Sequence, residues 1–237
     1  MLYDSIIRKR EKKIAVLIDP DKCSTDSIYR TVEISEKCGI EFLMVGGSLV
    51  SDTIDNCIEE IKKKSKLPVV LFPGSLLQIS NKADAILLLS LISGRNPEYL
   101  IGNHVIASPI LKKSKLEIIP TGYILVESGK VTSVQYISNT SPIPSDKNDI
   151  AVATAVAGEM LGFKLIYLEA GSGAVQHVPV EMISSVKKNI SIPLIVGGGI
   201  KNRLQLDTIF NAGADIVVIG NSLENRPDEL FKILNVK

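Results

Sequence analysis

Charge is nearly balanced in this chain. Across 237 residues, Lys and Arg number 27 and Asp and Glu 26. No basic excess draws the chain toward nucleic acid, so any anion it binds has to be held by local geometry. Cysteine is scarce: Cys23, Cys38 and Cys57 are an odd number without metal-ligand spacing. That pattern excludes a disulfide framework and a Cys-based metal site, and it reads as reduced thiols in a cytoplasmic protein. The two histidines, His104 and His177, share no motif with the cysteines and are expected at the surface or behind a site. No apolar run reaches the ~20 residues that span a bilayer. The opening MLYDSIIRKREKK has neither the apolar stretch nor the small-residue cleavage site of a secretory leader, and a soluble protein is expected. No lysine closes a strand as a Schiff-base enzyme would need, and no Ser–His–Asp arrangement stands out.

What is present is alternation. With 45% hydrophobic residues the chain can bury one sizeable α/β core, most simply a single domain over residues 1–237. Short apolar runs recur at Ile14–Asp19, Glu41–Gly47, Pro68–Phe72, Ala83–Ser90, Ile118–Val126, Lys164–Glu169, Ile192–Val196 and Ala214–Ile219. Helix-like segments separate most of them: Ser24 as N-cap to about Cys38 with Gly39 as the stop, Asp52–Lys64, Pro97 to about Ala107, Asp149–Leu161 and Arg203–Ala212. Eight buried strands alternating with helices imply a parallel sheet, and a closed (β/α)8 barrel over an open one.

Three stretches depart from that rhythm. Only about ten residues join Phe72 to Ala83, where a parallel crossover needs about a dozen or more. The third helix is therefore expected to be missing or reduced to a turn, unless it is merely short. Gly129-Lys130 followed by Val131–Ile137 predicts a hairpin extension. The segment Ser138–Asn148 reads as a loop at the strand-bearing mouth, either a lid or an idle surface loop.

Barrel sites gather where strands end. Strands seven and eight run into Gly197-Gly198-Gly199 and Gly220-Asn221, and glycine there lets backbone N–H groups converge on a phosphate. Strand one ends in Asp19-Pro20-Asp21-Lys22. Its Asp19 carboxylate suits Mg²⁺ shared with phosphate oxygens, or else an Asx-turn. Strand two ends in Gly46-Gly47-Ser48, whose hydroxyl suits a metal or phosphate, although a plain strand-to-helix turn explains the same residues. Strand six ends in Tyr167-Leu168-Glu169-Ala170-Gly171-Ser172-Gly173. Alternation puts Tyr167 and Glu169 on one face and Leu168 on the other. Facing inward, they form a general base and a neighbour that orients it; facing outward, Glu169 is a solvated loop carboxylate.

Taken in order, LIDPDK (17–22), Gly46-Gly47-Ser48, YLEAGSGA (167–174), Gly197-Gly198-Gly199-Ile200 and Gly220-Asn221 resemble the geranylgeranylglyceryl phosphate synthase family and its heptaprenylglyceryl phosphate synthase relatives. The matching segments span nearly the whole chain, and YLEAGSGA is the most specific of them. The resemblance implies a modified (β/α)8 TIM barrel without its third helix. It also implies a prenyltransferase of ether-lipid biosynthesis that joins sn-glycerol 1-phosphate to a long prenyl diphosphate and releases diphosphate. By the same resemblance, Asp19 and Ser48 take Mg²⁺, and Tyr167, Leu168, Glu169, Ala170, Gly171, Ser172 and Gly173 contact the glycerol phosphate, with Glu169 as base. Gly198, Gly199, Gly220 and Asn221 cradle the phosphate. Self-association and passing contact with a membrane surface are expected as well. One departure stands out: some members carry a phosphate-contacting lysine two residues before the strand-one aspartate, where this chain has Leu17. The Leu87–Ile92 end of strand four and the gap left by the third helix suit a prenyl groove, though core packing explains the leucines equally well. A phosphosugar isomerase, or a non-catalytic phosphate-binding barrel, would share the phosphate site.

Overall fold

Strands that are apolar on both faces can be covered only if helices wrap one side and the sheet closes around the other. The sheet does close in this computed structural model, which describes residues 1–4, 11–51, 54–220 and 226–234. Strands β1 (Lys13–Ile18), β2 (Phe42–Val45), β3 (Val69–Leu71), β4 (Ala85–Leu91), β5 (Glu117–Leu125), β6 (Leu165–Glu169), β7 (Leu194–Gly197) and β8 (Ile216–Ile219) pair in parallel and in chain order. β8 returns to β1. The register sets Leu125 beside Glu169, Glu169 beside Gly197, and Gly197 beside Val218, so these strands end at one level.

Strand alternation divides the core into two layers. Phe42, Met44, Val70, Leu87, Ile119, Tyr167 and Ile195 point into the barrel. Leu43, Val45, Ile86, Ile166, Leu168 and Val196 point out beneath the helices. Those helices are α1 (Thr25–Lys37), α2 (Ile54–Lys64), α3 (Asn103–Lys113), α4 (Ser133–Ser138), α5 (Asn148–Met160), α6 (Val180–Asn189), α7 (Arg203–Asn211) and α8 (Glu229–Leu234). Ser24 caps α1 as expected, accepting the Ser27 N–H at 3.2 Å. The bottom of the barrel is closed by the N-terminal residues. The backbone N–H groups of Leu2 and Tyr3 donate to the Glu117 carboxylate, and the Tyr3 hydroxyl donates to the Lys164 carbonyl at 2.8 Å. No helix among the described residues is long and apolar enough to cross a membrane.

Between β3 and β4 only a 3-10 turn, Leu76–Gln78, stands where a third barrel helix would be. The buried Gln78 braces this bare wall. Its amide oxygen accepts N–H bonds from Gly47 (3.1 Å) and Gly74 (3.2 Å), and its nitrogen donates to the Gly47 carbonyl at 2.8 Å. The backbones approach so closely that a Cβ on Gly46 would lie 2.1 Å from the Phe72 carbonyl oxygen.

Two expectations are corrected. Val131–Ile137 is not the second arm of a hairpin, because most of it lies in α4. Val134, Ile137 and Ser138 need helical spacing to share one face, and Asn139, at φ 48°, ends the helix in the left-handed conformation. The helix expected to stop near Ala107 continues through Pro109 to Lys113. Proline deprives the carbonyl four residues earlier of its partner, and the Ser108 hydroxyl supplies one, donating to Val105 O at 3.0 Å. The loop after α4 is tied down: Ile143 N–H donates to the Leu125 carbonyl at 2.8 Å, and its own carbonyl accepts from Glu127 N–H at 2.9 Å.

Candidate active site

Two cavities meet at the C-terminal mouth of the barrel. The larger, about 500 Å³, is the more polar of the two and lies over the strand ends. Asp19, Ser48, Tyr167, Glu169, Gly171, Ser172, Gly173, Gly198, Gly199 and Gly220 all line it. Residues from β1, β2, β6, β7 and β8 that are far apart in the sequence are thus brought together. Leu168 and Ala170 do not line it, because alternation turns their side chains into the layer beneath the helices. Asn221 lies outside the described residues.

Glu169 is the most unusual group in the cavity. It is 6% exposed, and burial pushes its carboxyl pKa up to about 7 against the N–H of Gly171 and the neighbouring Tyr167 phenol, which favour the charged form. The orienting partner is backbone: Gly171 N–H donates to Glu169 Oε1 at 2.7 Å. The Tyr167 hydroxyl lies beside the carboxylate without the geometry of a full hydrogen bond. Burial and the Glu169 charge push the Tyr167 phenol well above its ordinary value, and the Tyr123 phenol with it. Part of the glycine run after β7 is explained by this carboxylate. A Cβ on Gly197 would sit 2.4 Å from the Tyr167 hydroxyl, and one on Gly198, where φ is +83°, would sit 2.4 Å from Glu169 Oε1. Glycine at these places makes room for the acid as well as for a ligand.

Asp19 combines both readings of its position. Its side chain accepts the Asp21 N–H at 3.2 Å, a local turn, and the same carboxylate faces the cavity with Lys22 Nζ 2.9 Å away. The second loop runs directly against it, since a Cβ on Gly47 would come 3.0 Å from Asp19 Oδ2. Ser48 follows on that loop. Asp21 faces elsewhere, accepting from the Ser51 hydroxyl and N–H, both at 2.8 Å. Among the described residues, no cluster of three or more His, Cys, Asp or Glu side chains is arranged to hold a metal.

The smaller cavity, about 110 Å³, is apolar and occupies the place of the missing helix. Ile86 and Leu88 on the outer face of β4, Leu76 and Ile79 of the bridging segment, and Ala107 and Leu111 of α3 line it. His104 belongs to its wall rather than to the surface. It is half-buried, with Nε2 3.1 Å from Ser90 Oγ, and burial lowers its pKa. Gly47, Ser48, Phe72, Tyr123 and Val134 line both cavities and form their junction. Phe72, Tyr123 and Tyr167 pack there with ring centroids 5.3–5.9 Å apart.

Several lining residues escaped the sequence reading. Tyr123 was discoverable, because counting back by two from the end of β5 places it on the inner face. Lys201, directly after the glycine run, was adjacent to a quoted motif. Arg226 sits in a stretch without periodicity and carried no signal. Among the described residues, with Lys22 they are the basic side chains lining the larger cavity.

The sequence profile of the PcrB family matches residues 5–237. Over 226 residues the chain is 51% identical to the geranylgeranylglyceryl phosphate synthase of Spirosoma linguale, spanning 95% of this chain and 91% of that protein. Its fold matches the crystal structure of (S)-3-O-geranylgeranylglyceryl phosphate synthase from Thermoplasma acidophilum in complex with its substrate sn-glycerol-1-phosphate. The TM-score is 0.90 at 37% identity, covering 95% of this chain and 92% of the other. The N-acetylmannosamine-6-phosphate 2-epimerase of Clostridium perfringens, at TM-score 0.60 and 15% identity, shares the barrel fold alone.

Proposed function

The chain belongs to the PcrB family, and on that premise we propose that it is a prenyltransferase. It joins sn-glycerol 1-phosphate to a long-chain, geranylgeranyl-type prenyl diphosphate, forming a prenylglyceryl phosphate ether and releasing diphosphate. The observation that carries this reading is the pairing of a polar mouth with an apolar cavity across one shared wall. An isomerase of small phosphosugars has no use for the second cavity.

The chain's own residues divide the work. Backbone around Gly198, Gly199 and Gly220 holds the phosphate, with Lys201 and Arg226 supplying positive charge. The glycerol hydroxyl then lies over Glu169. With a pKa of about 7, this carboxylate is a stronger base than an ordinary glutamate and is still substantially ionised at neutral pH. As the allylic carbon–oxygen bond breaks, its electron pair leaves with diphosphate. The glycerol oxygen forms the new carbon–oxygen bond, and its proton passes to Glu169. Phe72, Tyr123 and Tyr167 present ring faces or edges at the junction, where the electron-rich faces favour a carbon gaining positive charge. The apolar cavity takes the first part of the chain and aligns the allylic carbon with the hydroxyl.

Asp19 with Ser48 is a sparse donor set of one carboxylate and one hydroxyl. That suits Mg²⁺, which keeps water and substrate phosphate oxygens in its shell, and would not suit a fully protein-caged ion. When bound, Mg²⁺ neutralises charge on the departing diphosphate. The three cysteines, Cys23, Cys38 and Cys57, an odd number without metal-ligand spacing, fit a cytoplasmic setting for the enzyme.

The test is mass-spectrometric detection of ether product from sn-glycerol 1-phosphate and a ladder of prenyl diphosphates. Product is expected with chains of C20 and longer, is lost in EDTA and returns with Mg²⁺. Glu169→Gln should lower turnover about 10²-fold or more. Absence of product across the ladder, or equal use of glycerol 3-phosphate, would overturn the reading.

A further inference from the structure

Gln78 is 1% exposed and lines neither of the two cavities at the mouth. A buried glutamine is costly unless its amide is satisfied, and here backbone satisfies it. The amide oxygen accepts the N–H of Gly47 and of Gly74, and the nitrogen donates to the Gly47 carbonyl. One side chain thus holds both polar groups of Gly47, as an antiparallel strand would. The residues of the bridging segment divide between three surroundings. Leu76 and Ile79 face the apolar cavity, Leu77 is exposed, and Gln78 turns to the loop after β2.

That loop stands where the two halves of a prenyl diphosphate would meet. Such a molecule joins an apolar tail to an anionic head. With its tail in the apolar cavity and its head at the mouth, it crosses the partition that both cavities share. Phe72, Tyr123 and Val134 present rings and aliphatic carbon there, whereas Gly47 and Ser48 bring backbone and a small hydroxyl. The loop is closely confined. A Cβ on Gly47 would lie 3.0 Å from Asp19 Oδ2, and one on Gly74 would lie 2.2 Å from the Gly47 carbonyl oxygen and 2.9 Å from Ser48 Cα. Between Asp19 on one side and Gly74 on the other, small shifts of Gly47 change the gap between Asp19 and Ser48. The hydrogen bonds from Gln78 fix that height where no third helix backs the loop.

We propose, resting on the prenyltransferase reading, that Gln78 is a positioning residue for the prenyl diphosphate head, setting through Gly47 where Ser48 stands against Asp19. It acts without touching substrate. The wall that meets the tail, Leu76 and Ile79, and the brace that places the head are parts of one continuous stretch.

Gln78→Met keeps the length of the side chain and removes its hydrogen bonds to Gly47 and Gly74. Titration calorimetry on the full chain, with Mg²⁺ present and one ligand at a time so that no turnover occurs, measures the effect. The dissociation constants of geranylgeranyl diphosphate and of inorganic diphosphate should both rise about tenfold, with that of sn-glycerol 1-phosphate within about twofold of wild type. Steady-state KM values should divide in the same way. Ser80→Ala removes another buried contact of the same crossover, the hydroxyl's bond to Asp55. It should lower the melting temperature and leave all three constants unmoved. Where Gln78→Met does not fold, Gln78→Glu, which keeps the acceptor for both N–H groups and loses the donor, is read against the same outcomes. Unchanged diphosphate constants, equal weakening of all three ligands, or the same pattern in Ser80→Ala would each overturn the proposal and leave Gln78 a brace of the fold. So would weakening of geranylgeranyl diphosphate without inorganic diphosphate, which would assign Gln78 to the tail. A wild type that binds no geranylgeranyl diphosphate would bring down the prenyltransferase reading, and this role of Gln78 with it, whereas the other failures leave that reading intact.

Discussion

Glu169 carries its proton to a pH at which ordinary glutamates have long lost theirs, and the sign of the consequence is fixed by burial. Its folded-state pKa, about 7, lies above the unfolded value near 4.3. The group therefore favours the fold most below the unfolded value, and that advantage is lost as pH rises through about 7. Glu169→Gln cannot ionise, so its stability relative to wild type should improve by about 3 kcal/mol between pH 4 and pH 8. Urea denaturation at several pH values measures this, and a flat difference would mean that the carboxylate is better solvated than its burial implies. Activity should move the opposite way, with kcat/KM rising through the same window as the base ionises. Leu17 offers a phosphate no charge and packs towards Gly220, where a Cβ would lie 3.4 Å from its own. Lys22 is engaged by Asp19, so under the proposed function Arg226 and Lys201 are the lining cations assigned to the phosphate. Arg226→Ala should raise the KM for sn-glycerol 1-phosphate about tenfold with kcat little changed; an unchanged KM would remove Arg226 from the site. That Tyr167 and Glu169 share one face was legible from strand alternation, but that the face points into the barrel is shown only by the fold. The grip of Gly171 on the carboxylate was not legible, because a two-residue return to the backbone depends on torsions that residue types do not specify.

The element with most consequence is the one that is absent. A crossover too short for a helix could be read from the sequence by counting, and β3 and β4 are indeed joined by a turn. The ladder at that seam is correspondingly brief, pairing Val70 with Ala85 and Leu71 with Ile86, whereas β4 and β5 pair from Ala85–Glu117 to Leu91–Tyr123. Native-state hydrogen exchange should find the β3–β4 seam opening at lower free energy than the β4–β5 ladder. Equal protection would mean that the Gln78 brace replaces a helix in full. The two misread elements failed for identifiable reasons. Val131–Ile137 is rich in β-branched residues, and its helical form follows from the cavity that Val134 and Ile137 line. The helix expected to end near Ala107 runs on through Pro109, because the hydroxyl that supports it there sits one residue earlier, on Ser108, and has no motif of its own.

At the scale of the whole molecule, the barrel supplies a mouth, and the lost helix supplies a side chamber opening from it. That chamber could be anticipated as a gap but not as a volume, because its far wall is α3, whose course past Pro109 was not foreseen. The common partition of Gly47, Ser48, Phe72, Tyr123 and Val134 has a thermodynamic corollary. A guest on either side touches the same residues, so any shift that one guest induces in them is felt by the other. If the proposed function holds, whatever factor glycerol phosphate imposes on the dissociation constant of the prenyl diphosphate, the prenyl diphosphate must return in equal measure.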